Sequence, residues 1–190
     1  MAKIGLNNFW YSILASESSA GVPTYSGPQT PGKAVECSVD AEFNDAELYA
    51  EDGLAESDKS FKKATVNITV DRDDLQTKAD LLGHTLSSGE LKSNSEDVAP
   101  YVGIGRVVTM IVGGVKKYIG KVIYKVKFAE PQESEKTKGD STEFGTTQYS
   151  GTASTLANGD WKTEKAFDDK QDAIDYVKGL LASSSNSSQT

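Results

Sequence analysis

The stretch from Tyr101 to Ala129 constrains the fold more than any other part of the chain. Val, Ile and Tyr dominate it, and Gly113-Gly114 lies near its centre, a dipeptide that readily takes the two positive φ angles of a tight primed turn. The stretch therefore predicts a long β-hairpin. At ~3.3 Å per residue its first strand would extend ~40 Å, which is long for a small sandwich.

The second arm of this hairpin alternates between apolar and basic residues. Alternation with a period of two predicts one buried and one polar face. The buried face would hold Val122, Tyr124, Val126 and Phe128, and the other face would hold Lys121, Ile123, Lys125 and Lys127.

The composition fits one domain, residues 1–182, followed by a flexible Ser-rich tail, residues 183–190. The chain has 28 Asp and Glu against 20 Lys and Arg, a net charge of -8. Tight nucleic-acid binders need the opposite balance, because Lys and Arg make the phosphate contacts. The single Cys37 predicts a buried structural thiol and a reducing compartment. No apolar run approaches the ~20 residues of a membrane-spanning helix, so we expect no membrane partner.

The remaining segments predict further strands, two helices and two long loops. Strands are expected at 4–14, 34–43, 64–70, 144–156 and 161–167. A short helix follows its expected caps Asp71 and Asp73 and is expected to end at Gly83 in the left-handed conformation. A final helix follows Asp168 and Asp169, with Gln171 as capping-box partner. The loops are 16–32, which is rich in Pro and Gly, and 44–63. The second loop carries Leu48, Tyr49, Leu54 and Phe61, which would either pack on the core or contact a partner.

No catalytic or metal-binding pattern is present in the sequence. A nucleophilic triad would require the single histidine, His84, which follows a predicted helix end. There is no Cys or His cluster with the spacing of a zinc site. We therefore expect a protein that is not an enzyme and has no cofactor.

Several segments, taken in order, resemble the major tail tube proteins of long-tailed, non-contractile bacteriophages, the phi-13-type family. The resemblance runs from about Lys3 to Ala182 and is carried by IGLNNFWYSIL at 4–14, PTYSGPQTPGKAV at 23–35, AELYAEDGLAESDKSF at 46–61, ADLLGHT at 79–85, DVAPYVGIGRV at 97–107, YKVKFAEP at 124–131, TKGDSTEFGT at 137–146 and LANGDW at 156–161.

The resemblance implies an antiparallel β-sandwich or barrel, the tail tube fold, with a flanking helix. It also implies hexameric rings that stack into a virion tail tube, the conduit for DNA ejection, assembled in the host bacterial cytoplasm. Implied partners are further copies of the chain, a tape measure protein and tail tip or terminator proteins, with transient, non-specific passage of DNA. Candidate contacts between subunits or rings are Leu48, Tyr49, Leu54, Phe61 and Tyr25.

Candidate channel-wall or cross-strand charges are Glu36, Asp40, Glu42, Lys121, Lys125 and Lys127. We expect these lysines to pair with such carboxylates on a neighbouring strand. Two alternatives stay open at this point: a tube subunit of a related secretion or phage-like particle, and a monomeric binding module whose platform would be Trp10, Tyr25 and Trp161.

Overall fold

The computed structural model describes residues 2–50, 53–133 and 145–182. In these ranges the elements are β1 Ala2–Glu17, β2 Pro23–Tyr25, β3 Ala34–Ala50, β4 Gly53–Val70, α1 Leu75–Leu82, β5 Thr85–Ser87, β6 Glu90–Lys92, β7 Tyr101–Val112, β8 Val115–Phe128, β9 Thr147–Ala153, β10 Lys162–Phe167 and α2 Lys170–Leu180. The predicted fold class is confirmed: a mainly antiparallel β-structure of the sandwich or barrel type, with a flanking helix. Neither described helix is long and apolar enough to cross a membrane.

One eight-stranded sheet contains every strand except the small β5–β6 hairpin. Its path is β2-β1-β7-β8-β9-β4-β3, and β10 pairs with β8 outside this path. β8 changes partner along its length: Tyr118 to Ile123 pair with β10, and Val126 to Phe128 pair with β9. The sheet therefore forks at β8 and can curl over its own inner face.

Two hydrophobic clusters lie on opposite sides of β1, β7 and β8. The inner cluster joins these strands to β4, β9 and α1 and includes Tyr11, Ile68, Ile104, Ile123 and Tyr149. The outer cluster joins the same strands to β2 and α2 and includes Trp10, Tyr25, Val107, Val122 and Val177. The aromatics of β1 are thus covered from both sides, as expected for a segment with apolar residues on both faces.

A β-bulge in β8 overturns the predicted alternation of the second hairpin arm. Val102 pairs with Val126 but Ile104 pairs with Ile123, so Tyr124 and Lys125 together oppose Gly103. One extra residue reverses the side-chain alternation beyond it. Ile123 therefore joins Val126 and Phe128 in the inner cluster, whereas Val122 and Tyr124 pack against the outer cluster.

Residues 44–63, predicted as a loop, are instead paired strand except for 51–52, which lie outside the described residues. They continue β3 and β4 as a hairpin whose register runs from Ala34 opposite Val70 to Ala50 opposite Gly53. Backbone pairing requires no apolar alternation, so the acidic composition concealed these strands. The predicted loop 16–32 contains the short strand β2 and the bridge from Tyr11 to Gln29.

The predicted helix signals are confirmed in part. Gly83 ends α1 with φ of 79°, as expected for a left-handed cap. Asp169 caps α2 and accepts hydrogen bonds from the backbone of Gln171 and Asp172. The residue before α1 is Asp74 rather than Asp71 or Asp73, and the side chain of Gln171 donates to Asp175 rather than closing a capping box.

Glycines on β7 allow α2 to lie close to the sheet. A Cβ at Gly105 would stand 2.3 Å from Cγ1 of Val177 and 2.8 Å from Cδ1 of Leu181. We predict that Gly105→Ala destabilises the protein by about 1–3 kcal/mol, because it overpacks the outer cluster. Denaturant unfolding measures the loss. Gly5→Ala is the control, since nothing lies within 4 Å of that Cβ. Equal unfolding midpoints for the two variants would contradict this packing.

Candidate assembly interface

The distal half of the β3–β4 hairpin is a two-stranded ribbon, residues 41–50 and 53–63. β9 pairs with β4 only from Ala64 to Val70, so each ribbon strand has only the other as its partner among the described strand pairings. Ten residues at ~3.3 Å each give a ribbon about 33 Å long. An isolated two-stranded hairpin is at best marginally stable in water. The ribbon is therefore the element that gains most from a partner.

The candidate contact residues are placed differently from one another. Phe61 stacks on Trp161 with ring centroids 4.4 Å apart and meets Phe43 edge-on at the base of the ribbon. Tyr25 is 1% exposed, and its hydroxyl donates to the carbonyl of Tyr124 at 2.7 Å, so its described contacts are intramolecular. The side chains of Leu48, Tyr49 and Leu54 lie outside the described residues, and their role stays a prediction.

A groove of about 1050 Å³ opens beside β3, which we call the β3 groove. One wall is β3 from Val35 to Phe43, and the others come from β1, β7, β8 and β10. β3 ends the sheet path, so its outer edge carries backbone groups without a strand partner in the described chain. Val35 is 59% exposed and Phe43 is 53% exposed at this rim. An open sheet edge beside exposed apolar side chains is a site for strand addition.

The charges in the β3 groove are unevenly paired. Lys121 Nζ lies 2.9 Å from Glu164 Oε2, and Lys162 contacts the same carboxylate at 3.4 Å. Burial would raise the pKa of Glu164, but the two ammonium groups outweigh it and hold the pKa below its usual range. Arg106 contrasts with both lysines, because its Nη1 is buried and has no hydrogen-bond partner in the part of the chain that the structure describes.

Cys37 also lines the groove and packs against the inner cluster. Burial raises the pKa of its thiol, and the guanidinium of Arg106 opposes that rise.

The outer face of β3, β4 and β9 is polar. On the described part of the chain its side chains are half-buried or exposed, and they comprise Glu36, Ser38, Asp40, Glu42, Lys63, Thr65, Asn67, Thr69, Gln148, Ser150 and Thr152. Two side-chain contacts link β3 to β4 on this face. Lys63 pairs with Glu42 at 3.5 Å, and the amide of Asn67 donates to the hydroxyl of Ser38 at 3.4 Å. β9 forms within the strand predicted at 144–156 and contributes Gln148, Ser150 and Thr152 to this face.

The lysines of β8 have other partners than those expected. Within one chain Lys121 pairs with Glu164, and Lys125 pairs with Glu17 at 2.7 Å. The ammonium groups of Lys125 and Lys127 lie 4.9 and 5.5 Å from the ring centre of Tyr101. The bulge separates Lys121, in the β3 groove, from the other two. Glu36 and Asp40 are exposed on β3, and their channel-wall role stays a prediction.

His84 is held between two carboxylates on separate segments. Its Nδ1 lies 2.7 Å from Asp97, and its Nε2 lies 2.9 Å from Glu130. The hydrogen bond to Asp97 contributes most, and with Glu130 it raises the pKa of His84 despite burial. The described residues contain no group of three or more His, Cys, Asp or Glu side chains able to hold a metal ion.

Sequence reasoning missed Arg106 and Glu164 as members of the β3 groove, and it missed Glu17 as the partner of Lys125. The roles of Glu164 and Glu17 depend on contacts between segments far apart in the chain, such as the 108 residues that separate Glu17 from Lys125. The available signal was weak: Arg106 is the one charged residue in the apolar run from Tyr101 to Val115.

Comparisons with known proteins find similarity among solved structures only. No protein-family model matches the sequence, and no curated protein matches it. Among solved structures, the cryo-EM structure of the anti-feeding prophage cap, a tube terminating cap, matches with a TM-score of 0.43 and 10% identity. The match covers 88% of this chain and 95% of that chain.

The single histidine makes one electrostatic prediction simple to test. Folding raises the pKa of His84, so the protonated imidazole stabilises the fold. This stabilisation is complete below the unfolded-state pKa of about 6.5 and is lost as pH rises through the higher folded-state pKa. We expect the pH dependence of the unfolding free energy above pH 6.5 to flatten in His84→Gln. Proton NMR of the one imidazole gives its pKa directly. A folded pKa at or below 6.5 would contradict the double pairing.

Proposed function

We propose that this chain is a structural subunit of a bacteriophage-type tail tube that assembles with copies of itself. In this proposal six copies close into a ring, rings stack, and the resulting conduit carries DNA during ejection from the virion. Further partners would be a tape measure protein and tail tip or terminator proteins, with assembly in the host bacterial cytoplasm.

The observation that carries the proposal is the ribbon at residues 41–50 and 53–63. Its two strands pair with each other beyond the end of β9 and so lack a third strand in the described chain. A second copy can supply the missing cover. Head-to-tail contacts of this kind form rings where the rotation closes and filaments where it does not.

The polar outer face of β3, β4 and β9 supports a conduit. It is lined by hydroxyl, amide and carboxylate groups, and Lys63, a cation of β4 on this face, contacts Glu42. A surface with little free positive charge attracts phosphates weakly, so DNA would pass without being held. The overall charge of -8 acts in the same direction.

The alternative of a monomeric binding module receives less support. Its expected aromatic platform is not available in the described chain, because Trp10 is 5% exposed and Tyr25 is 1% exposed. Trp161 is stacked against Phe61. A tube of a secretion or phage-like particle would use the same assembly surfaces and differ only in cargo.

We predict that deleting residues 46–60 abolishes assembly without unfolding the chain. The deletion leaves Asn44-Asp45 as a two-residue connection between Phe43 and Phe61, which already face each other across the hairpin. Negative-stain microscopy and sedimentation of the concentrated protein should show rings or tubes for wild type and, for the deletion, monomers lighter than the 20.3 kDa of the full chain.

Circular dichroism and thermal unfolding verify that the deleted chain is folded. A length-preserving control, Leu48→Ser with Tyr49→Ser and Leu54→Ser, separates loss of apolar contact from loss of length. Wild-type tubes from the folded deletion variant would refute the ribbon's role, and a wild-type chain that stays monomeric beside the other tail components would refute the proposed function.

A further inference from the structure

The β3 groove contains a cation, Arg106, with one buried donor atom that lacks an acceptor in the described chain. Arg106 projects from β7 and is half-buried, and its buried Nη1 has no hydrogen-bond partner among the described residues. The nearby carboxylate of Glu164 is already shared by Lys121 and Lys162. Leaving a guanidinium donor buried and unpaired is costly, and native proteins rarely retain such a group without a function.

The chemistry of the groove defines what would fill it. A guanidinium pairs best with a carboxylate, which can accept two parallel hydrogen bonds. Around it the walls combine apolar side chains, among them Val39, Ile123 and Trp161, with the carboxylates of Glu36 and Asp40, neither of which bonds to Nη1 of Arg106. The unpaired edge of β3 adds backbone donors and acceptors along one side. The groove therefore fits an extended polypeptide that carries both carboxylate and apolar side chains.

The chain itself contains a segment of this chemistry. Residues 44–60 hold six Asp or Glu residues and one Lys, together with Leu48, Tyr49 and Leu54. This segment cannot fold back into the groove of its own chain. Residues 44–50 continue β3 away from Phe43 for about 23 Å, at ~3.3 Å per residue. Regular pairing with β4 keeps that hairpin extended.

We propose that the β3 groove receives a carboxylate of a second copy, delivered to Arg106 by that copy's acidic segment 44–60. The inference rests on the proposed self-assembly and names the surface that receives the ribbon. The contact is head-to-tail: each copy gives a ribbon and offers a groove. Association then neutralises a charge that is unpaired in the lone chain, so the pairing favours the assembled state.

Cys37 provides an internal reporter, because it lines the groove and is the chain's single cysteine. We expect alkylation of Cys37 by a maleimide to be at least about tenfold slower in wild-type rings or tubes than in monomers, as bound segments protect the groove. Equal rates in the two states would overturn the inference while leaving the proposed function intact. A chain that never assembles would instead refute the proposed function.

Arg106→Met tests the charge itself. Removing an unpaired buried charge while keeping an apolar stem should leave the monomer at least as stable as wild type, whereas association should weaken about 30-fold or more. Arg106→Lys keeps the charge but not the planar guanidinium, which can donate two parallel hydrogen bonds, and should weaken association less. Lys162→Met is the matched control on the same groove, since Glu164 retains Lys121. Unchanged assembly of a folded Arg106→Met chain would overturn the inference.

A mixing experiment identifies both sides of the contact. The chain with residues 46–60 deleted keeps the groove, and an Arg106→Met, Cys37→Ser chain keeps the ribbon. We expect neither chain to assemble alone, but the mixture should form a 1:1 complex in which Cys37 of the deleted chain becomes protected.

Three results of the mixing experiment would overturn the inference. The first is no complex, and the second is a complex that leaves Cys37 equally reactive. The third is that acetate alone protects Cys37 in the chain that lacks residues 46–60. That result would identify the groove as a small-anion site rather than a receptor for a second copy.

Discussion

The bulge in β8 is the constraint on which the rest of the structure depends. It lies where the strand changes partner: the backbone N–H of Tyr124 donates to Trp161 beside β10, and the carbonyl of Lys125 accepts from Ser154 beside β9. A bulge bends a strand and increases its twist, which lets one sheet continue in two directions. The fork then encloses the inner cluster and leaves the β3 groove open beside it.

The same bulge decides which surfaces the charged residues occupy. It places Lys121 in the groove with Glu164 and sends Lys125 to the far side, where Glu17 holds it. Lys125 and Glu17 are 22% and 16% exposed, so this pair is better shielded than an ordinary surface pair. Lys125 therefore ties the end of β1 to β8, because Glu17 also accepts from the backbone of Ala157 at 2.6 Å.

Local sequence signals predicted the elements but not their pairing. Gly113-Gly114 and Gly83 mark a turn and a helix end because few residues take their positive φ angles, and both positions were identified correctly. The bulge was missed because it depends on packing between Gly103, Tyr25 and Leu181, which come from three distant segments. The extension of β3 and β4 was missed because its residues lack the apolar alternation that marks a half-buried strand. Of the candidate site residues, Phe61 was named from its apolar character and lies at the base of the ribbon, where its contact with another subunit stays a prediction. Arg106 gave only the signal of a charge in an apolar strand.

The open groove and the extended ribbon both lower the stability of a lone chain. A buried donor without an acceptor and a hairpin without a third strand each forfeit free energy that a compact monomer would keep. Such features persist where a second state recovers that free energy. In the proposed assembly these unfavourable terms would disappear on contact with another copy, which would widen the free-energy difference between free and assembled chains without requiring a larger interface. An acidic chain also repels its own copies at long range, so the proposed association would depend on these short-range contacts being made in the correct register.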